Sequence, residues 1–140
     1  MAYEADNLAQ TFNAASTRLM GCEVLNWDRD TETLTMRFTA PPEFGTPRGA
    51  VQGGLIAGFL DEVMGAAVAH ATKGEAIPLN LDMNLTFLKL VPIGTFTGTG
   101  RIVRRGKRVI FLEGELHDDE GNLLSRATST AIPTPKPQPE

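Results

Sequence analysis

Cysteine is almost absent from this 140-residue chain, which contains only Cys22. A single cysteine cannot form a disulfide within the chain, so the sequence is not that of a small disulfide-stapled secreted protein, and it fits a reducing compartment. We expect Cys22 to pack in the core rather than to act as a nucleophile. The chain is nevertheless long enough to bury a hydrophobic core without such staples.

An excess of positive charge is also missing. The formal net charge is -4, with 13 Lys and Arg against 17 Asp and Glu. Because nucleic-acid binding depends on cationic contacts to phosphates, this balance argues against nucleic acid as a partner. The opening residues MAYEADNLAQ lack the basic and apolar regions of a secretory signal. We therefore expect a soluble, cytoplasmic protein.

Clustered metal ligands and a serine-type triad are missing as well. The two histidines, His70 and His117, lie far apart without metal-ligand spacing, so no metal site is expected. Ser125 and Ser129 alternate on a predicted strand without a matched histidine, which argues against a triad. Nothing in the pattern calls for a cofactor.

Hydrophobic periodicity predicts a single domain over 1–140 with two helices and six strands. The first helix falls within 1–20, and its periodic part covers 3–20. A tail at 133–140, PTPKPQPE, is rich in proline and is expected to be extended and mobile rather than part of a sheet. The predicted strands are 22–28, 33–39, 79–90, 95–104, 108–117 and 123–132.

The longest apolar stretch is VQGGLIAGFLDEVMGAAVAH, residues 51–70, which predicts a helix over 53–72. Asp61 and Glu62 near its centre argue against a membrane span. A helix that is apolar on nearly every side must be wrapped by a sheet and covered on its remaining face, and a partner subunit is the simplest cover. The predicted class is therefore α+β, with a long central helix wrapped by an antiparallel sheet of about five to six strands.

Two glycines, Gly53 and Gly54, open this helix. A helix start has unpaired N–H groups and partial positive charge, so it suits an anion or a developing oxyanion, and glycine lets a ligand approach closely. The alternative is that the pair only permits a tight turn into the helix.

The adjacent carboxylates also allow either a structural or a functional interpretation. Asp61 and Glu62 are about 100° apart around the helix, which predicts that they face different environments. A buried Asp61 is either a structural anion with a partner or a carboxylate that acts as nucleophile or general base.

The spacing of Gly53 and Asp61 along the helix limits how the two residues could act together in catalysis. Gly53 and Asp61 are eight residues apart, roughly 12 Å along one helix, whereas an oxyanion donor and an attacking base must lie within a few ångströms of the same carbon. If both act in one site, they must come from two chains whose helices lie antiparallel across a two-fold axis.

The pattern formed by Gly49, Val51, Gln52, Gly53, Gly54, Asp61, Glu62 and Gly65 resembles the hot dog-fold thioesterases. The closest likeness is to the branch of phenylacetic-acid-pathway and 4-hydroxybenzoyl-CoA thioesterases. It extends over roughly 15–132 and includes the later segments LDMNLTFLKLVPIG and GKRVIFLEGELHDDEGNLLSRA.

The resemblance implies an acyl-CoA thioesterase with active sites at a homodimer interface, and dimers that pair into homotetramers. It implies that Asp61 attacks the thioester or activates water and that the Gly53 N–H polarises the thioester carbonyl, with Gly54 beside it. Asn80 falls where relatives have a small polar side chain that positions water. Acyl-CoA is then the partner, with neither nucleic acid nor a membrane.

Two positions depart from the family pattern. Gln52 stands where many relatives have histidine; it can donate a hydrogen bond but cannot exchange protons near neutral pH. Thr46 stands where relatives often have asparagine. Both changes bear on substrate range and rate rather than on the fold.

A basic cluster around one predicted hairpin could hold the phosphates of coenzyme A. It contains Arg101 and four residues assigned to coenzyme A binding, Arg104, Arg105, Lys107 and Arg108. The alternative is a solvated turn with ordinary ion pairs.

Two other functions fit the same fold. One is a non-catalytic protein that binds acyl-CoA. The other is a hydratase or dehydratase, which would need a His–carboxylate pair that no motif here provides. The sequence favours the thioesterase.

Overall fold

The computed structural model describes residues 14–135, which form two α-helices, a short 3-10 helix and six strands. The predicted first helix is observed only as α1, Ala15–Leu19, and its earlier part lies outside the described residues. The remaining elements, in chain order, are β1 Glu23–Asp28, β2 Thr33–Ala40, the 3-10 helix Pro42–Phe44, α2 Gly53–Ala71, β3 Ala76–Phe87, β4 Gly94–Arg105, β5 Ile110–His117 and β6 Leu123–Pro135.

All six strands join one antiparallel sheet in the order β1-β2-β4-β5-β6-β3. Strands β1 and β3 are its edges. The predicted α+β class, with a long helix wrapped by an antiparallel sheet, is confirmed.

Helix α2 lies against the inward face of the sheet. A cluster of aromatic rings connects them: Phe59 of α2 lies 5.0 Å from Phe38 of β2 and 4.9 Å from Phe96 of β4, between ring centroids. Glycine allows the closest approach, since a Cβ at Gly100 of β4 would overlap the backbone carbonyl of Val63 in α2. The core therefore sits between α2 and the centre of the sheet.

Helix α2 is the one helix within residues 14–135 that is long and apolar enough to cross a membrane by length and composition. Half of the 18-residue stretch of α2 that meets this criterion is buried inside the fold. It ends as the sequence predicts, where Gly74 adopts a positive φ of 80° and its N–H donates to Ala69 O. In this fold α2 is the core helix, and the sheet wraps around it.

Strand β3 differs from its predicted range of 79–90. It begins at Ala76 and ends at Phe87, because Leu88 and Lys89 both donate their N–H groups to Leu124 O as the chain turns away.

The prediction of a tail beginning at residue 133 is wrong over 133–135, because β6 continues to Pro135. Here β6 pairs only with β3, which is an edge strand, while β5 ends its pairing opposite Ala131. Proline is tolerated where a flank of the strand is open. The Thr134 hydroxyl also donates to Ile77 O at 2.8 Å. The remainder of the predicted tail lies outside the described residues.

Candidate active site

The start of α2 is held in place by the loop before it. Gln52 N donates to Phe44 O and Val51 N donates to Val91 O, both at 2.9 Å. Gln52 is the N-cap, and its Oε1 accepts a hydrogen bond from Leu55 N at 3.0 Å. Gln52 therefore positions the helix start, a structural role that its place in the motif alone does not reveal.

The two glycines at this helix start have different surroundings. A Cβ at Gly54 would lie 2.9 Å from Gln52 Oε1, so glycine makes room for the capping side chain. A Cβ at Gly53 would lie 3.7 Å from the Phe87 ring, which is ordinary contact. Within residues 14–135, neither glycine N–H finds an acceptor. Packing within the chain thus does not require glycine at position 53, and its N–H is available to a ligand.

Gly53 borders a cleft of about 410 Å³ with apolar walls. The side chains of Phe87, Leu88 and Leu90 line this cleft and are each more than half exposed. Leu79 and Leu81, earlier on the edge strand β3, are also exposed. The face carrying the helix start is therefore apolar and uncovered in the single chain.

Asp61 lies in a second cleft, between α1, α2 and β3. Asn80 of β3 donates a hydrogen bond from Nδ2 to Asp61 Oδ1. The Asn80 Oδ1 is buried and has no hydrogen-bond partner within the described residues. An unused acceptor next to a carboxylate is suited to holding a water molecule.

This second cleft has a volume of about 520 Å³ and mostly small or apolar walls. The residues that line it are Ala14, Ser16, Thr17, Asp61, Glu62, Gly65, Ala66, Ala69, Ile77, Pro78, Leu79 and Asn80.

The clefts separate the two predicted catalytic residues. Gly53 borders the first and Asp61 the second, so one chain does not bring them to one carbonyl. Their separation along α2 is roughly 12 Å.

Desolvation in the cleft affects the pKa of both acids. It raises the pKa of Asp61, although its carboxylate still reaches solvent, and the hydrogen bond from Asn80 opposes that rise. Desolvation also raises the pKa of Glu62, and the neighbouring Asp61 charge adds to the effect. The prediction that the two acids face different environments is wrong: both line this cleft, because α1 and β3 flank the helix on adjacent sides.

Cys22 packs against the hydrophobic core, as predicted. Burial and the nearby Glu62 charge raise the pKa of its thiol to about 12, so the thiol stays protonated at neutral pH.

Thr46 lies in the loop before α2, apart from Asp61 and Asn80. Its N–H donates to Ala50 O, and its hydroxyl accepts from Arg48 N at 3.3 Å. In the single chain these bonds give Thr46 a role in the shape of the loop.

The basic hairpin lies between β4 and β5, at the end of the sheet near the carboxyl end of α2. Arg105 forms an ion pair with Glu32 at 2.5 Å. Arg101 pairs with Glu113 at 2.6 Å. Arg104, Lys107 and Arg108 are exposed and form no ion pair within residues 14–135.

The hairpin and the Asp61 cleft lie on the same sheet, three strands apart. Arg105 is opposite Ile110, Ile110 opposite Ala131, and Ala131 opposite Asn80. Three interstrand spacings amount to about 14 Å.

Within the described residues, no cluster of His, Cys, Asp and Glu could hold a metal ion.

Known proteins share this sequence pattern and this fold. The family model described as the thioesterase superfamily matches residues 48–125, which include Gly53, Asp61 and Asn80. A phenylacetic acid degradation-related protein of Ralstonia eutropha JMP134, described as a thioesterase, is 30% identical, with a TM-score of 0.83. The match covers 93% of this chain and 98% of that protein.

Two more distant similarities agree in fold or sequence. A Streptococcus mutans UA159 protein solved bound to acetyl CoA is 17% identical, with a TM-score of 0.71, over 84% of this chain and 91% of that one. A protein of Saccharolobus solfataricus named as an esterase is 24% identical over 110 residues, which are 79% of this chain and 76% of that protein.

Proposed function

We propose that this chain, which belongs to the thioesterase superfamily and is a thioester hydrolase, cleaves acyl-CoA to a free acid and coenzyme A. The observation that carries the proposal is the Asp61 carboxylate, held by Asn80 beside a cleft with mostly small or apolar walls. Such a cleft suits an acyl group, and Asp61, which is among its lining residues, would act on the thioester. The acetyl CoA bound to the Streptococcus mutans protein of similar fold is in keeping with this substrate.

The reaction needs a group that brings an oxygen to the thioester carbon. Asp61 either attacks that carbon itself, forming an anhydride that water then hydrolyses, or removes a proton from the attacking water. In both routes the C–S bond breaks, the coenzyme A thiolate leaves and takes up a proton, and water supplies the oxygen of the product acid. Asn80 holds one Asp61 oxygen and offers its own Oδ1 to the water.

The oxyanion that develops needs a donor, which we assign to Gly53 N–H of a second chain. Two observations support this assignment. Gly53 and Asp61 line different clefts in one chain. In addition, the edge strand β3 exposes Leu79, Leu81 and Phe87. An exposed apolar edge is suited to pairing with another copy, which would bring the helix start of one chain toward Asp61 of the other.

The assembly we propose is a homodimer that pairs further into a homotetramer. Gln52 and Gly54 would set the helix start at the interface, because Gln52 caps α2 and Gly54 makes room for the cap. Thr46 would shape the loop beside them.

The hairpin residues Arg104, Lys107 and Arg108 would contact the phosphates of coenzyme A. These three are exposed without an ion pair among residues 14–135, whereas Arg105 would have to exchange its bond to Glu32 for a phosphate. Coenzyme A has a long pantetheine arm between its thiol and its phosphates, which allows the two sites to lie well apart.

The test is thiol release by the purified protein from short, medium, long and aromatic acyl-CoAs. We expect turnover of at least one class, and its loss in Asp61→Asn. Binding of acyl-CoA without any thiol release would instead indicate the non-catalytic alternative.

A further inference from the structure

Glu62 lies in the cleft proposed to receive the acyl group, although the proposed reaction does not use it. It is half-buried and lines the same walls as Asp61 and Asn80. Burial raises the pKa of its carboxyl, and the charge of Glu62 contributes to the raised pKa of the nearby Cys22 thiol. Burying a second acid in this cleft costs stability unless an opposite charge offsets it.

No cation compensates Glu62 within the described residues. None of the residues lining the cleft is lysine, arginine or histidine. The ion pairs within residues 14–135 involve other acids, namely Glu23, Glu32, Glu113 and Glu115. The sequence of residues 1–13 contains no lysine or arginine either. The cleft is therefore lined by two acidic side chains and, among the described residues, by no lysine, arginine or histidine.

We infer that Glu62 determines acyl specificity by excluding acyl groups that carry a carboxylate, so that the substrates are acyl-CoAs with uncharged acyl groups. The inference rests on the proposed function, because it takes this cleft as the acyl site.

Electrostatics in a half-buried cleft give the physical reason. A negative acyl group would lie near two negative side chains in a cleft that partly excludes water, and like charges repel more strongly there than in open solvent. A neutral acyl group meets no such penalty and packs against Gly65, Ala66 and Ala69. Asp61 is needed for the reaction, so Glu62 is the acid that is free to set selectivity.

Two thioether analogues of equal length test this without depending on hydrolysis. S-butyl-CoA and S-(3-carboxypropyl)-CoA each carry four carbons on sulfur and differ at the end of the chain, which is a methyl group in the first and a carboxylate in the second. Calorimetric titration at pH 8, which favours ionised Glu62, gives the Kd of each for the wild type, Glu62→Gln and Glu62→Ala. Glu120→Gln, in the β5–β6 turn, removes the same charge outside the cleft and is the control.

We expect the wild type and Glu120→Gln to bind the neutral analogue at least tenfold more tightly than the charged one. Both Glu62 variants should narrow this ratio to below about threefold, mainly by improving binding of the charged analogue. Equal binding of the two analogues by the wild type, an unchanged ratio in the Glu62 variants, or no binding of either analogue would overturn the inference.

Hydrolysis of butyryl-CoA and succinyl-CoA, measured in parallel, separates this inference from the proposed function. Turnover of both esters at similar kcat/KM, together with equal analogue binding, overturns the role of Glu62 and leaves the thioesterase intact. Selective binding of the neutral analogue without thiol release from any acyl-CoA supports the role of Glu62 and overturns the hydrolase.

Discussion

Asn80 on the edge strand β3 donates a hydrogen bond to Asp61 in the middle of the central helix α2. The two residues are 19 positions apart in sequence, and the pairing of β3 with β6 brings them together. The bond stabilises the ionised form of a carboxylate that its surroundings push toward the neutral form. These opposing effects on the pKa lead to the predictions for the Tm of Asp61→Asn and for the pH profile of Asn80→Ala.

Asp61→Asn should lower hydrolysis of the best acyl-CoA substrate by about 100-fold or more, because a general base or nucleophile typically contributes that much. The amide has nearly the same shape, so the fold should persist. Thiol release at saturating substrate measures the loss. Glu62→Gln is the matched control and should keep kcat for a neutral acyl-CoA within about threefold of wild type. A larger loss at Glu62 than at Asp61 would mean that Glu62 is the reacting acid.

The same substitution should raise stability at neutral pH. A carboxyl whose pKa is higher in the folded chain stabilises the fold below its unfolded pKa, and that contribution is lost as pH rises through the folded pKa. At pH 7.5 ionised Asp61 is therefore a cost that asparagine removes. Thermal unfolding should give a higher Tm for Asp61→Asn at pH 7.5 and a smaller difference below about pH 4. An equal or lower Tm at pH 7.5 would contradict the desolvation of Asp61.

Asn80→Ala should move the acid limb of the kcat/KM profile to higher pH. The reaction requires ionised Asp61, and removing the bond from Asn80 removes the contribution that lowers the pKa of Asp61. The control is Asn84→Ala, which changes an exposed residue of the same type on the same strand. Its acid limb should match that of the wild type. An unmoved limb in Asn80→Ala would show that the bond from Asn80 does not lower the pKa of Asp61.

Much of this arrangement could be predicted from sequence because it depends on local pattern. The glycine pair and Lys73-Gly74 bracket α2, and period-two alternation gives each strand to within a few residues. The continuation of β6 to Pro135 could not be predicted this way. It depends on which neighbours a strand has at its end, and proline alone suggests the opposite.

Among the functional residues as well, some features could be predicted from the sequence and others could not. The helix positions of Gly53 and Asp61 follow from spacing, which also shows that one chain cannot join them. The shared cleft of Asp61 and Glu62 depends on how α1 and β3 flank the helix, so an angle of about 100° around α2 did not separate their surroundings. The bond from Leu55 N to Gln52 likewise required the fold.

Arg108→Ala should raise KM for acyl-CoA about 3- to 10-fold, corresponding to roughly 0.7–1.4 kcal/mol. The same variant should leave KM nearly unchanged for an N-acetylcysteamine thioester of the same acid, which lacks the nucleotide. Arg101→Ala is the control, because that guanidinium is already paired with Glu113. Equal effects of Arg108→Ala on both substrates would exclude a phosphate contact.

Gly53→Val should abolish most hydrolysis while the chain still folds. An added Cβ meets only the Phe87 ring at an ordinary distance, whereas the branched side chain would block approach to the unpaired N–H at the helix start. Gly58→Ala, elsewhere on α2, would bring its Cβ 3.3 Å from the flexible end of Met20, and its activity should stay within about threefold of wild type. Wild-type rates in Gly53→Val would exclude the Gly53 N–H as oxyanion donor.

The shared site predicts that two inactive variants restore one another. Gly53→Val lacks the donor and Asp61→Asn lacks the carboxylate, so each homodimer is expected to be inactive. Unfolded together and refolded, they should form about half heterodimers if pairing is random. In each heterodimer one of the two sites combines native Gly53 of one chain with native Asp61 of the other, and the second site carries both defects.

Recovered activity should therefore reach about one quarter of wild type, because half of the dimers carry one working site out of two. Thiol release measures it, and differently tagged chains purified in tandem show how many heterodimers formed. Wild type taken through the same refolding is the control for recovery. Heterodimers present in the expected amount without hydrolysis, alongside active refolded wild type, would show that Gly53 and Asp61 do not act on one carbonyl. Gly53 and Asp61 of a single helix are roughly 12 Å apart and cannot act on one carbonyl. Activity recovered in the heterodimer therefore requires that the helix start of one chain meets the carboxylate of the other.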